Sequence, residues 1–88
     1  MDQQSDTSQP FLGIVDVETH LGVHYVFPDM ELKELSRVLP KGNRMVEGWP
    51  TMALVNVSNS ALTIPFRIIK KICVRYSKSE ETWWESPV

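Results

Sequence analysis

Apolar and polar positions alternate over residues 14–18, Ile14-Val15-Asp16-Val17-Glu18, and again over 23–27, Val23-His24-Tyr25-Val26-Phe27. Successive side chains of a strand point to opposite faces, so each run predicts a half-buried strand. His20, Leu21 and Gly22 lie between them as a three-residue connection, with Gly22 at the left-handed position such hairpins need. That register sets Val17 against Tyr25 and Val15 against Phe27 on one face. Asp16, Glu18, His24 and Val26 fall on the other, and the clean separation of the two faces supports it.

The period then changes. Pro28-Asp29 predicts a helix start, with Asp29 as N-cap and Glu31 in the first turn, where the helix dipole favours an acid. Leu32, Leu35, Val38 and Leu39 form a narrow apolar stripe at helical spacing, and Pro40 and Gly42 end it. A helix of about three turns is held by packing more than by its own propensity. Residues 41–50 read as a loop carrying Trp49. Residues 52–57 read as a third strand. A two-residue turn at Asn59 and Ser60 sets Val57 against Leu62 and Val55 against Ile64, with Asn56 opposite Thr63 on the other face. Pro65 stops that ladder because it has no N–H to donate. Residues 66–69 predict one helical or 3₁₀ turn. Residues 71–76 predict a last strand with Ile72, Val74 and Tyr76 inward and Lys71, Cys73 and Arg75 outward.

The order β-β-α-β-β-turn-β places the chain in the α+β class, as a small antiparallel sheet or open β-barrel with one short helix. Strand, tight turn, strand, proline-led single turn, strand over residues 52–76 resembles the small barrels of the Sm-like type. The resemblance implies a fold and no function. The 88 residues suffice for one domain. Residues 1–10 hold no apolar residue after Met1 and predict a mobile N-terminal tail. Residues 11–78 predict the single folded domain, and 79–88 an acidic, tryptophan-bearing, loosely held C-terminal tail. A body this small gains only about 3–5 kcal/mol from one core, so a homodimer is one expectation.

No apolar run is long enough for a membrane-spanning helix, so no membrane partner is expected. The acidic, polar opening lacks the basic and apolar regions of a secretory signal. Cys73 is the single cysteine, which excludes an intramolecular disulfide and a cysteine-rich zinc site, and a cytoplasmic protein is expected.

The sequence offers little catalytic chemistry. Four scattered glycines make no phosphate loop, and there is no Gly-x-Ser-x-Gly elbow. His20 and His24 stand four apart without further metal ligands, so no metal or cofactor is expected. Cys73 lies in a strand flanked by Ile72 and Val74, with Lys71 and Arg75 as charged neighbours, and no histidine base is marked for it. Asp16 and Glu18 share a strand face and read as solvated acids that discourage edge aggregation. Residues 54–62, Leu54-Val55-Asn56-Val57-Ser58-Asn59-Ser60-Ala61-Leu62, resemble the Asp/Asn-x-Ser-x-x-Gly hairpin of PilZ domains, a likeness that implies cyclic di-GMP binding. Ala61 stands where that family has glycine, and its Arg-x-x-x-Arg arm is missing. Asn56-Val57-Ser58 is also a glycosylation sequon, expected to be silent without secretion. Ser86-Pro87-Val88 fits the loose Ser/Thr-x-Val rule for carboxylate-capturing domains.

Charge is distributed unevenly. Residues 1–34 carry seven acids against Lys33, residues 35–78 eight bases against Glu47, and residues 79–88 three acids. Such asymmetry implies opposite-signed surfaces or pairing between segments. Arg67, Lys70, Lys71, Arg75 and Lys78 gather near the last strand, with Arg37, Lys41 and Arg44 as an extension. Trp83 and Trp84 stand adjacent in the acidic tail, either as interface anchors, a common role of tryptophan, or as a tail that packs along its own body over an edge or groove.

These features give a first expectation of a non-enzymatic protein-interaction module: an adaptor, assembly or inhibitor protein. Trp49, Trp83 and Trp84 are its candidate anchors, and Arg67, Lys70, Lys71, Arg75 and Tyr76 its candidate charged and aromatic strand face. A small nucleic-acid-binding barrel, with those bases on phosphates and Phe66 or Tyr76 stacking, is the second. A pI near 5.6 weighs against it. A nucleotide or small-ligand sensor is the third.

Overall fold

A computed structural model describes residues 11–40 and 49–87. The elements run in the order β1 (Leu12–Thr19), β2 (His24–Glu31), α1 (Leu32–Val38), β3 (Thr51–Val55), β4 (Ala61–Pro65), a 3₁₀ turn (Phe66–Ile68), β5 (Ile69–Tyr76) and β6 (Ser79–Glu85). One antiparallel sheet has the order β2-β1-β5-β6, and β3-β4 forms a second, two-stranded sheet. The chain is thus a small α+β domain of mostly antiparallel strands with one short helix, and its barrel is not closed. Among the described residues no helix is long and apolar enough to cross a membrane. The expected N-terminal tail, the 41–48 part of the loop with Lys41 and Arg44, and Val88 lie outside the described residues.

The first hairpin takes the register its alternation predicts, Val17 opposite Tyr25 and Val15 opposite Phe27. Gly22 sits at φ 86, and the Thr19 amide donates to the Val23 carbonyl at 2.9 Å to close the turn. The 3₁₀ turn after Pro65 and the inward faces of Ile72 and Val74 also match the sequence pattern.

Three expectations are corrected. The helix begins at Leu32, not at Pro28-Asp29. β2 continues through Glu31 because Met30 pairs with Gly13 and Glu31 with Leu12, and Asp29 absorbs the bend at φ 59. That extension buries Met30 in the core. Gly13 leaves room for the helix to dock: a Cβ there would lie 2.6 Å from Leu32 Cδ2 and 3.0 Å from the Arg75 carbonyl oxygen.

The second correction is the register of β3. Met52 pairs with Ile64 and Leu54 with Leu62, so Met52 and Leu54 face inward while Val55 and Val57 are 60% and 51% exposed. The turn decides this. Asn56 pairs with Ser60 through its backbone N–H and accepts the amides of Ser58 and Ser60 on its side-chain oxygen, with Asn59 left-handed at φ 65. The connection is therefore three residues long, not two, and the odd shift turns β3 over.

The third correction concerns residues 79–88. They do not hang loose: Ser79–Glu85 form β6, paired along β5 from Tyr76–Ser79 to Lys71–Glu85. The folded domain runs past residue 78, and Ser86 still donates its amide to the Lys70 carbonyl at 2.8 Å. β6 slips in register between Ile72 and Cys73, and this bulge gives Trp83 and Trp84 to the core together.

The core is one cluster. Val15, Val17, Ile72 and Val74 of the large sheet meet Met52, Leu54 and Ile64 of the second hairpin and Leu35 and Leu39 of the helix segment. Burying such side chains supplies about 1.5–3 kcal/mol each before chain entropy is subtracted. The opposite face of the large sheet stays open to solvent and carries the charged side chains.

Candidate functional site

β1 lies between β2 and β5, so the acids of β1 stand between the imidazole of β2 and the bases of β5. His24 Nδ1 is 2.8 Å from Asp16 Oδ1, and its Nε2 is 4.0 Å from Glu18 Oε2. Arg75 Nη2 lies 3.7 Å from Asp16 Oδ2. A register slip beside Thr19 makes Lys70 the extra residue, and both Lys70 Nζ and Lys71 Nζ reach within 4.0 Å of the Glu18 carboxylate. The uneven charge of the sequence thus resolves into pairing between segments. A phosphate backbone laid over Lys70, Lys71 and Arg75 would also meet Asp16 and Glu18. Asp16 and Glu18 sit on a central strand, not on an edge, and act as the hub of this lattice.

The tryptophans have a different place from the one their sequence context suggested. Trp83 and Trp84 are each only 8% exposed, which overturns their reading as free anchors. Trp49 is half-buried and meets Phe66 edge-on at 5.6 Å, and Phe66 meets Trp84 edge-on at 5.6 Å. Three rings from the segment just before β3, the 3₁₀ turn and β6 therefore link the small hairpin to the large sheet. Trp83 Nε1 donates to Glu81 Oε1 at 3.1 Å, and the Tyr76 hydroxyl donates to Glu81 Oε2 at 3.0 Å. Tyr76 belongs to this hydrogen-bonded cluster.

The bond to Glu81, then desolvation, then the charge of that carboxylate raise the Tyr76 phenol above its ordinary 10.0. Its pKa is raised on folding, so whatever this contact adds to stability is full below pH 10 and is lost as pH rises through the folded-state value. In an alkaline titration followed at 295 nm, Glu81→Gln should move one phenol transition to lower pH, and Tyr76→Phe should delete that same transition. An unchanged curve in Glu81→Gln would mean that the carboxylate does not set the phenol's acidity.

An apolar surface left uncovered lies at the end of the β1–β2 hairpin. Thr19, Leu21, Val23, Tyr25 and Ile68, with His20 and Arg67, line a mostly apolar hollow of about 350 Å³. Leu21 is 89% exposed at the turn apex, Val23 47% and Tyr25 40%. The backbone beneath is fixed: the His20 amide donates to the Ile68 carbonyl at 3.0 Å, and Thr19 Oγ1 donates to the Val23 carbonyl at 3.1 Å. A second hollow, of about 320 Å³ at the other end of the sheet, is lined by Leu12, Gly13, Ile14, Asp29, Arg75, Tyr76 and Ser77 and is more polar. Among the candidate residues read from sequence, only Arg67 borders the apolar hollow. Leu21, Val23 and Tyr25 were missed, although an apolar residue at the apex of a glycine turn is a legible signal of a surface kept greasy.

Other chemistry is spoken for by the fold. Among the described residues no group of three or more His, Cys, Asp or Glu side chains is placed to hold a metal ion. Cys73 Sγ lies 3.7 Å from Thr82 Oγ1 on the outer face. The Asn56 amide of the sequon and of the PilZ-like hairpin is buried and donates to the Pro28 carbonyl at 2.9 Å, which withholds it from glycosylation and from a ligand. Comparison with family models, with curated proteins and with solved structures finds no match.

Proposed function

We propose that this chain is a non-enzymatic protein-interaction module whose partner docks on the apolar end of the β1–β2 hairpin. The observation that carries the reading is the cluster of Leu21, Val23 and Tyr25, exposed together on a turn whose backbone is held rigidly. Contiguous apolar surface of this kind on a small protein marks an interaction site. A pre-formed hairpin also spares the partner the cost of ordering a loop. Trp49, Trp83 and Trp84 serve the interaction indirectly, by fixing the core beneath the sheet. Lys70, Lys71 and Arg75 act within a mixed-charge face that suits electrostatic orientation of a protein better than tracking of a phosphate chain.

The test is affinity capture from lysate of the source cell, with nuclease treatment, comparing the natural chain with Leu21→Ser/Val23→Ser. A nuclease-resistant protein partner should be retained by the natural chain and fall about ten-fold or more with the double variant, since interface anchors cost over about 1 kcal/mol each. Far-UV circular dichroism should not change, because both side chains are exposed. Capture that ignores the double substitution, or that depends on nucleic acid, would overturn the reading.

A further inference from the structure

We infer that the hairpin hollow takes an acidic peptide segment of its partner: an apolar anchor side chain with a carboxylate beside it. The inference rests on the interaction reading above and adds the chemistry of the occupant. Arg67 stands on the 3₁₀ turn at the wall of the hollow, next to Ile68. Three other bases of the same sequence cluster have carboxylate partners within 4.0 Å, Lys70 and Lys71 on Glu18 and Arg75 on Asp16. The exposed Arg67 guanidinium has none among the described residues. The hollow itself brings no carboxylate; its side chains are apolar apart from Thr19, His20, Arg67 and the Tyr25 hydroxyl, and Thr19 Oγ1 is bonded to Val23.

The geometry therefore pairs an unfilled apolar seat with a positive charge at its margin. A leucine- or phenylalanine-like side chain fits the seat by covering Leu21, Val23, Tyr25 and Ile68. A carboxylate one or two residues away meets Arg67, whose planar fork suits a carboxylate better than an ammonium would. β2 is an edge strand of its sheet, so a partner segment can lie extended beside Val23 and Tyr25 while its anchor enters. A lysine-flanked anchor would instead be repelled.

The probe is an array of synthetic fifteen-residue peptides, each with one apolar anchor and one neighbouring residue set to glutamate, glutamine or lysine. The natural chain should hold glutamate-flanked peptides about five-fold better than glutamine-flanked ones, the range of one exposed charge pair. Arg67→Glu should reverse the order and favour lysine-flanked peptides, and Leu21→Ser should weaken all of them. Both side chains are exposed, so both variants fold.

The inference fails, and the interaction reading stands, if Leu21→Ser abolishes binding while Arg67→Glu leaves the charge preference unchanged. Both fail if no peptide binds and the partner capture described above is also indifferent to the hairpin. Sedimentation that shows a dimer lost in Leu21→Ser, with no peptide bound, would replace the acidic segment by a second copy of this chain.

Discussion

Trp84→Ala should leave the protein largely unfolded at 25 °C. The indole is buried at the junction of both sheets, opposite Ile72 in the ladder and edge-on to Phe66 at 5.6 Å. Truncating a buried tryptophan costs about 3–5 kcal/mol, the transfer of the ring plus the cavity it leaves. A single core of this size supplies about that much in total. Nothing nearby collapses easily into the gap, because Phe66 is already clamped on its other side by Trp49. Far-UV circular dichroism and a urea melt followed at 222 nm read the result directly. Trp84→Phe keeps an aromatic ring in the seat and should retain a cooperative transition at a lower midpoint. Removal of residues 79–88 should unfold the chain as Trp84→Ala does, since it takes Trp83 and Trp84 together. A truncated chain that melts like the full one would show that the sheet needs only three strands.

The reason this outcome escapes the sequence lies in β6. Ser79, Glu80, Glu81 and Thr82 are polar, and an edge strand needs neither an apolar run nor strict alternation to pair on one side. Two tryptophans in a row break the period-two pattern, and only the bulge opposite Ile72 lets one core receive both. The β1–β2 hairpin was legible for the opposite reason: strict alternation and Gly22 leave one register, and a slip would bury Asp16 and Glu18. The helix stripe was legible too, but not its start, because Pro28-Asp29 is a good helix opening by local chemistry alone. Pairing of Met30 with Gly13 overrides it.

The site divides in the same way. The clustering of Arg67, Lys70, Lys71 and Arg75 could be read from the chain, but not which acids pair with the last three. This depends on β1 lying next to β5, a pairing between distant segments. Once that pairing is known, the one guanidinium beside the hollow stands apart from its neighbours.

Asn56→Ala carries the second large effect, with an expected loss of about 2–4 kcal/mol. Its side chain makes three bonds in one buried place: Nδ2 donates to the Pro28 carbonyl at 2.9 Å, and Oδ1 accepts the amides of Ser58 at 2.9 Å and Ser60 at 3.0 Å. Each is worth about 0.5–1.5 kcal/mol, and more where the stranded partner stays buried. The same residue joins the two sheets, since the Val57 amide beside it donates to the Asp29 carbonyl at 3.2 Å. Asn56→Asp should fare no better at neutral pH: it keeps the acceptor for the turn but sets a carboxylate against the Pro28 carbonyl. The urea midpoint measures the loss, and hydrogen exchange at Val57 shows whether the link to β2 opens with it. Because this turn also fixes the β3 register, the alanine variant frees Val55 and Val57 to compete with Met52 and Leu54 for the core. A loss below about 1 kcal/mol would mean that the larger Met52 and Leu54 side chains hold the register by packing alone, with the asparagine merely tying off a turn already chosen.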